Sequence, residues 1–143
     1  MDRETITRKR EYNIYNKVKK IKLKTRKYNN NDYATWSDVW NEVLKVDDKA
    51  TFHVHETEKG FPAFINSTGG LVKVSVTIKG VTRTQWLGLM VGYSFRPITK
   101  EMITTNDIQN TIQRCLVKCI ALFGLGLSIY QGEEHKEEIQ KND

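Results

Sequence analysis

Apolar residues recur at three- and four-residue steps near the C-terminal end, at Ile108, Ile112, Cys115, Leu116, Cys119, Ile120 and Phe123. That spacing predicts a long helix with a wide buried stripe. Ahead of it, Thr104, Thr105, Asn106 and Asp107 offer side-chain oxygens to the first unpaired N–H groups, and Asp107 complements the positive helix end. Gly124 stands where a glycine would close the helix. Residues 104–130 therefore read as a helix, a glycine stop and a short apolar strand or turn. Asn110, Arg114 and Lys118 fall four apart on another face, so the helix has a basic side as well as a buried one.

Upstream the period changes to two. Val72, Val74, Val76 and Ile78 alternate with Lys73, Ser75, Thr77 and Lys79, which predicts a strand over Leu71–Lys79. Thr84–Val91 returns after a reversal at Gly80, and shorter strands are expected over Thr51–Glu56 and Phe61–Asn66. In the first of these, Phe52 and Val54 share one face, His53 and His55 the other. Two histidines at that spacing suit a metal, but no third ligand stands near them in sequence, so they read as exposed strand residues. Before the strands, Thr35 caps a helix with Asp38 in the capping-box position, and Trp36, Val39, Trp40, Val43 and Leu44 form its apolar face. Residues 92–102 form a loop carrying Tyr93, Arg96 and Lys100. Such close spacing between strands favours antiparallel pairing. The expectation is an α+β domain: an N-terminal helix, an antiparallel meander of three to four strands, and a long C-terminal helix packed on the sheet.

Charge changes the picture at the N-terminus. The formal net charge is +6, yet residues 1–27 hold eleven Lys and Arg against three Asp and Glu, a net of +8, which leaves −2 for the remainder. Tyr12, Ile14, Tyr15, Val18 and Ile21 have partial helical spacing, consistent with a short helix over about Glu11–Leu23. The expected organisation is a basic arm over 1–31, a core domain over 32–132 and an acidic tail over 133–143. The arm reads equally as solvated chain or as a segment lying along phosphates. Cys115 and Cys119, one helical turn apart on the apolar stripe, are expected to be reduced and buried. The chain shows no signal-peptide pattern and no apolar run of membrane-spanning length, which points to a soluble, cytoplasmic protein without membrane attachment.

Catalytic patterns are missing. No phosphate-binding G-x-x-x-x-G-K-[ST] run occurs, and Gly124 and Gly126 follow a helix rather than opening one after a strand. Ser37, Ser67 and Ser75 lack a nucleophile-elbow context, and no spaced carboxylates suggest a two-metal nuclease. What remains is binding chemistry, with no metal or other cofactor. Lys73, Lys79 and Arg83 on the sheet, Arg96 and Lys100 in the loop, and Arg114 and Lys118 on the helix can track a phosphate backbone, with Tyr93 or Phe95 stacking on bases.

The run from Arg114 to Glu134, RCLVKCIALFGLGLSIYQGEE, resembles the signature of Sak-type single-strand annealing proteins of phages and mobile elements, which are similar in fold to eukaryotic Rad annealing recombinases. It matches R-x-L-V-K-x-I-A-L-x-G-L-G-L-x-I-Y-x-G-E-[DE]. Tyr33, Thr35, Trp36 and Trp40 match the family's Y-x-[ST]-W-x-x-x-W element, Gly69 or Gly70 through Ile78 its G-x-x-V-x-V-x-V-x-[IV] strand, and Leu87–Met90 its next strand. The chain differs at Phe123, where many relatives carry histidine, at Ser128, where they carry an aromatic, and in the loop after Met90. These motifs cover Tyr33 to Glu134 and leave the basic arm outside.

The resemblance implies ATP-independent binding of single-stranded DNA and annealing of complementary strands in homologous recombination and repair, by homo-oligomeric rings or filaments and without a catalytic site. It also implies a single-strand-binding protein or an exonuclease as partner. Arg114 and Lys118 then face either the DNA groove or a neighbouring subunit. The alternative is a small basic regulatory or RNA-binding module without annealing activity, and a third reading is an enzyme acting on DNA.

Overall fold

A computed structural model describes residues 2–28, 31–91 and 96–131 of the chain. Its centre is β5 (Gly69–Ile78), the strand with the clearest alternation. Val72, Val74 and Val76 are fully buried on one face, while Lys73, Ser75 and Thr77 stand on the other. Each valine so buried contributes roughly 1.5–3 kcal/mol. β6 (Val81–Gly88) pairs antiparallel along one edge of β5. The other edge is shared by two short strands, β3 (Thr51–Val54) opposite 74–77 and β4 (Phe64–Asn66) opposite 69–71. Within this antiparallel sheet, β3 thus skips its sequence neighbour β4 and pairs with β5.

The β5–β6 reversal fixes the register. Lys79 and Gly80 both have positive φ, 51° and 78°, as a two-residue type I′ hairpin requires. The Lys79 N–H donates to Asp47 Oδ2 at 2.7 Å, which holds the left-handed lysine in place. The resulting register sets Val76 opposite Arg83 and Lys73 opposite Trp86.

Two helices cover the valine face. α3 (Thr105–Ala121) starts from a complete capping box: Thr104 Oγ1 accepts from the Asp107 N–H, and Asp107 accepts from the Thr104 N–H. It lays Ile108, Cys115, Leu116, Cys119 and Ile120 into the core against β5 and β6. α2 (Trp36–Val46) lies beside it, with Val39 and Val43 fully buried and Trp40 edge-on to Phe52 at 5.1 Å. Thr35 caps α2 through the Asp38 N–H as expected, but the reciprocal half does not form, and Asp38 Oδ2 is buried without a hydrogen-bond partner. Trp36 and Leu44, placed with the core by spacing, lie at the rim and stay more than a third exposed.

The N-terminal segment departs most from expectation. Helix α1 runs over Arg3–Val18, capped by Asp2, whose carboxylate accepts from the Thr5 N–H at 2.8 Å. It starts eight residues before the expected Glu11 because Asp2 supplies a cap and a Glu4–Arg8 pair supports the first turns. Ile14 and Val18 enter the main core. A small antiparallel hairpin follows, β1 (Arg26–Tyr28) with β2 (Asn31–Tyr33), across the expected boundary between arm and core domain.

After Ala121 the chain turns and resumes helical geometry at 127–131, in place of the expected strand or turn. Gly124 and Gly126, with φ of 112° and 77°, do more than stop the helix. A Cβ on Gly124 would fall 2.6 Å from Tyr15 of α1, and one on Gly126 2.7 Å from Leu23. The glycines let the N-terminal segment sit flush on the end of α3. Gly124→Ala is therefore expected to cost about 2–4 kcal/mol in urea denaturation, through the backbone and the clash together. Adding Tyr15→Ala should return only the clash part, because the backbone strain remains.

Asp47 generates a second expectation. The Lys79 N–H holds its carboxyl below the ordinary carboxylate value, against a smaller opposing effect of burial. A carboxylate with a depressed folded-state pKa stabilises the fold above its unfolded pKa, and the stabilisation is lost as pH falls through the folded value. Asp47→Ala should cost about 1 kcal/mol at neutral pH, discounted for its partial exposure. The difference from wild type should vanish on acidification below the ordinary carboxylate range.

Candidate nucleic-acid interface

The cations singled out in the sequence do not form one patch. Lys73 lies on the outer face of the sheet, its ammonium 5.0 Å from the centroid of Trp86 directly across the strand pair. Arg83 is on the opposite, helix-covered face, because the hairpin register aligns it with the buried Val76. There its guanidinium pairs with Glu11 of α1 at 2.9 Å. Lys79 occupies the turn at one end of β5. Arg96 and Lys100 belong to the segment at the other end, where Pro97 and Ile98 approach Gly69. Ten residues of strand separate these ends by roughly 33 Å. Lys100 opens a short 3-10 turn over Lys100–Met102. Tyr93 and Phe95 lie outside the described residues.

Arg114 and Lys118 share one flank of α3, four residues apart and next to the cysteine face, and both are half-buried. The Lys118 ammonium stands 5.5 Å from the centroid of Tyr130, so the resumed helical turn folds back over the signature helix. Arg83 belongs to the same neighbourhood. Cys119 donates its S–H to the Arg83 carbonyl at 3.2 Å, and Cys115 does the same to Gln85 at 3.3 Å. The charge of Lys118 reaches the Cys115 thiol and that of Arg83 the Cys119 thiol. The structure thus sets Lys118 near Cys115 and Arg83 near Cys119 at the α3–β6 contact, with Arg114 one turn from Lys118 along α3, and leaves Lys73, Lys79, Arg96 and Lys100 elsewhere.

The outer sheet face carries different chemistry. His55 Nε2 and Ser75 Oγ are 2.7 Å apart, Ser75 and Thr84 hydroxyls 2.7 Å, and Thr77 and Thr82 hydroxyls 2.7 Å. These cross-strand pairs satisfy the polar face without a ligand. Burial lowers the His55 pKa, with Lys73 and His53 adding repulsion, so its ring favours the neutral form. Among the described residues no three His, Cys, Asp or Glu side chains cluster as a metal site, and no helix is long and apolar enough to cross a membrane. At one end of this face Phe64 lies edge-on to Trp86 at 5.3 Å.

The cysteines are core residues. Burial pushes the Cys115 thiol up to about 12, with the neighbouring Cys119 adding to the rise, and the Cys119 thiol up to about 11. Neither is a nucleophile near neutral pH, since reaction needs the thiolate. Iodoacetamide at pH 8 should leave both unmodified in the native protein and alkylate both in denaturant, as read by intact mass.

Comparison with known proteins adds what the cation map alone does not decide. No curated protein and no solved structure matches the chain. Residues 9–143 match the family described as Sak Single Strand Annealing Protein. The match starts inside α1, upstream of every motif found by reading the sequence, and so takes in the Tyr15 and Leu23 that seat on the signature glycines. With nearly the whole chain covered, and with the motif glycines serving the packing of the motif helix, the chain belongs to the Sak single-strand annealing protein family.

Proposed function

We propose that the protein binds single-stranded DNA and anneals complementary strands without ATP, in homologous recombination of a phage or mobile element, as a ring or filament of many copies. The family match over residues 9–143 carries this reading. The geometry supports it: the signature helix keeps a basic flank, Arg114 and Lys118, with Arg83 beside it, while its other sides are committed to the core. Annealing needs no catalytic residue. A basic flank holds phosphates while bases stay available to test a second strand, and base pairing in the product drives the reaction. Lys73, Lys79, Arg96 and Lys100 would act at other points along a strand that wraps the subunit, and Tyr93 would stack. A single-strand-binding protein or an exonuclease would deliver the substrate.

Removing the N-terminal segment does not test the alternative of a binding module driven by a basic arm, because Ile14 and Val18 belong to the core. Single charge removals do. For a labelled oligothymidine, Arg114→Ala and Lys118→Ala should each weaken binding and reduce the slope of log affinity against log salt by about 0.7, the value for one phosphate contact on a single strand. An unchanged slope with loss of the native oligomer would assign these residues to a subunit contact instead.

A further inference from the structure

α1 carries a stripe that packing uses only at Tyr15, whose ring edge seats on Gly124. Arg8, Tyr12, Tyr15 and Lys19 follow one another at four-, three- and four-residue steps, which places them in a row on one side of the helix. Ile14 and Val18 anchor α1 along the adjacent face, and Val18 meets Gly124 beside Tyr15, while the four residues of the row stay exposed. Arg8, Tyr12 and Tyr15 of the row, with Glu11, line a groove of about 500 Å³ whose opposite wall is the end of α3, from Ala121 to Gly124 with Leu127. Arg83 lies in the same groove, and Ala121 is only three residues beyond Lys118. The groove therefore follows the basic flank in sequence, and its lining carries Arg8 and Arg83 against the single carboxylate of Glu11.

Folding explains its aromatic content only in part. Tyr12 is 63% exposed and so contributes little burial. Tyr15 is 45% exposed, with one ring edge fixed against Gly124 and the Lys19 ammonium 5.5 Å from its centroid. Leu122 and Leu127 complete an apolar floor and are also nearly half exposed. Arg8 is held only by Glu4, in a pair whose side chains are both largely in solvent, and such a pair yields readily to a phosphate. Exposed ring faces between cations are the arrangement that holds a single strand: bases stack on the rings and phosphates meet the cations. Net charge favours the same ligand, since residues 1–27 carry +8. From Arg8 to Lys19 the stripe spans roughly 16 Å along the helix. That covers about five phosphates at the spacing of a stacked strand.

We propose that this groove is a second single-stranded DNA site, with Tyr12 as its stacking platform, Tyr15 as a fixed wall, Arg8 as a phosphate contact in its lining, and Lys19, beside Tyr15, as a phosphate contact just beyond it. The proposal rests on the annealing reading and locates where a strand continues after leaving the α3 flank. The glycines gain a role from it: by letting Tyr15 seat against Gly124, they bring the α1 row within one groove of the signature helix.

The test uses the full chain and a fluorescein-labelled oligothymidine. Tyr12→Ala should weaken binding by about 5- to 100-fold, the cost of one stacked base. Because no phosphate contact is removed, the salt slope should stay unchanged. Tyr12→Trp should restore binding and Tyr12→Leu should not, since leucine keeps apolar bulk without a ring. In the wild type, an oligonucleotide carrying 4-thiothymidine should crosslink to the peptide containing Tyr12 and Tyr15. Wild-type affinity in Tyr12→Ala, rescue by leucine, or crosslinks confined to other peptides would each overturn the proposal. So would an unchanged DNA affinity with a smaller oligomer, which would make the groove a subunit contact. A wild type that binds no single-stranded DNA would instead sink the annealing reading itself.

Discussion

The close approach of the N-terminal segment to the end of α3 is the contact on which the rest of the molecule turns. It exists because two positions, Gly124 and Gly126, have no side chain and adopt positive φ, leaving room for Tyr15 and Leu23. With α1 seated there, Ile14 and Val18 close the core, Glu11 reaches Arg83, and Arg10 approaches the β5–β6 turn at Gly80. The glycine-rich signature is thus a packing motif before it is anything else. Its basic residues, Arg114 and Lys118, lie on a flank that this packing leaves partly accessible.

Some of this was legible in the residues. β5 and α3 announce themselves because one face of each is buried, so the period of the apolar pattern is the period of the element. The Thr104–Asp107 cap is local chemistry and formed as read. α1 was harder, since it is charged nearly all round and only Ile14 and Val18 are buried, so tertiary contact rather than amphipathicity holds it. The β1–β2 hairpin is three residues long on each side and carries no apolar alternation.

The candidate site was legible in composition but not in arrangement. Arg83 stands just past the reversal at Gly80 and so reads as a neighbour of Lys73 and Lys79. Which face Arg83 takes depends on the turn, and a lysine at 79 does not advertise the left-handed backbone that sets the register. Once the turn is Lys79-Gly80, Arg83 falls opposite Val76 and passes to the helix side, away from Lys73. The long Val-rich strand therefore separates the cations that the sequence placed together. In exchange, Lys118 and Arg83, distant in sequence, both come close to the cysteine pair, Lys118 by Cys115 and Arg83 by Cys119.

The account makes the protein a device that holds a strand and leaves the chemistry to base pairing. The most direct test is the rate at which two complementary, dye-labelled oligonucleotides form duplex in the presence of the protein and the absence of any nucleotide. The account predicts acceleration well above the spontaneous rate under conditions where the protein binds each single strand, with no further gain from ATP. Binding without acceleration, or acceleration that requires ATP, would contradict it.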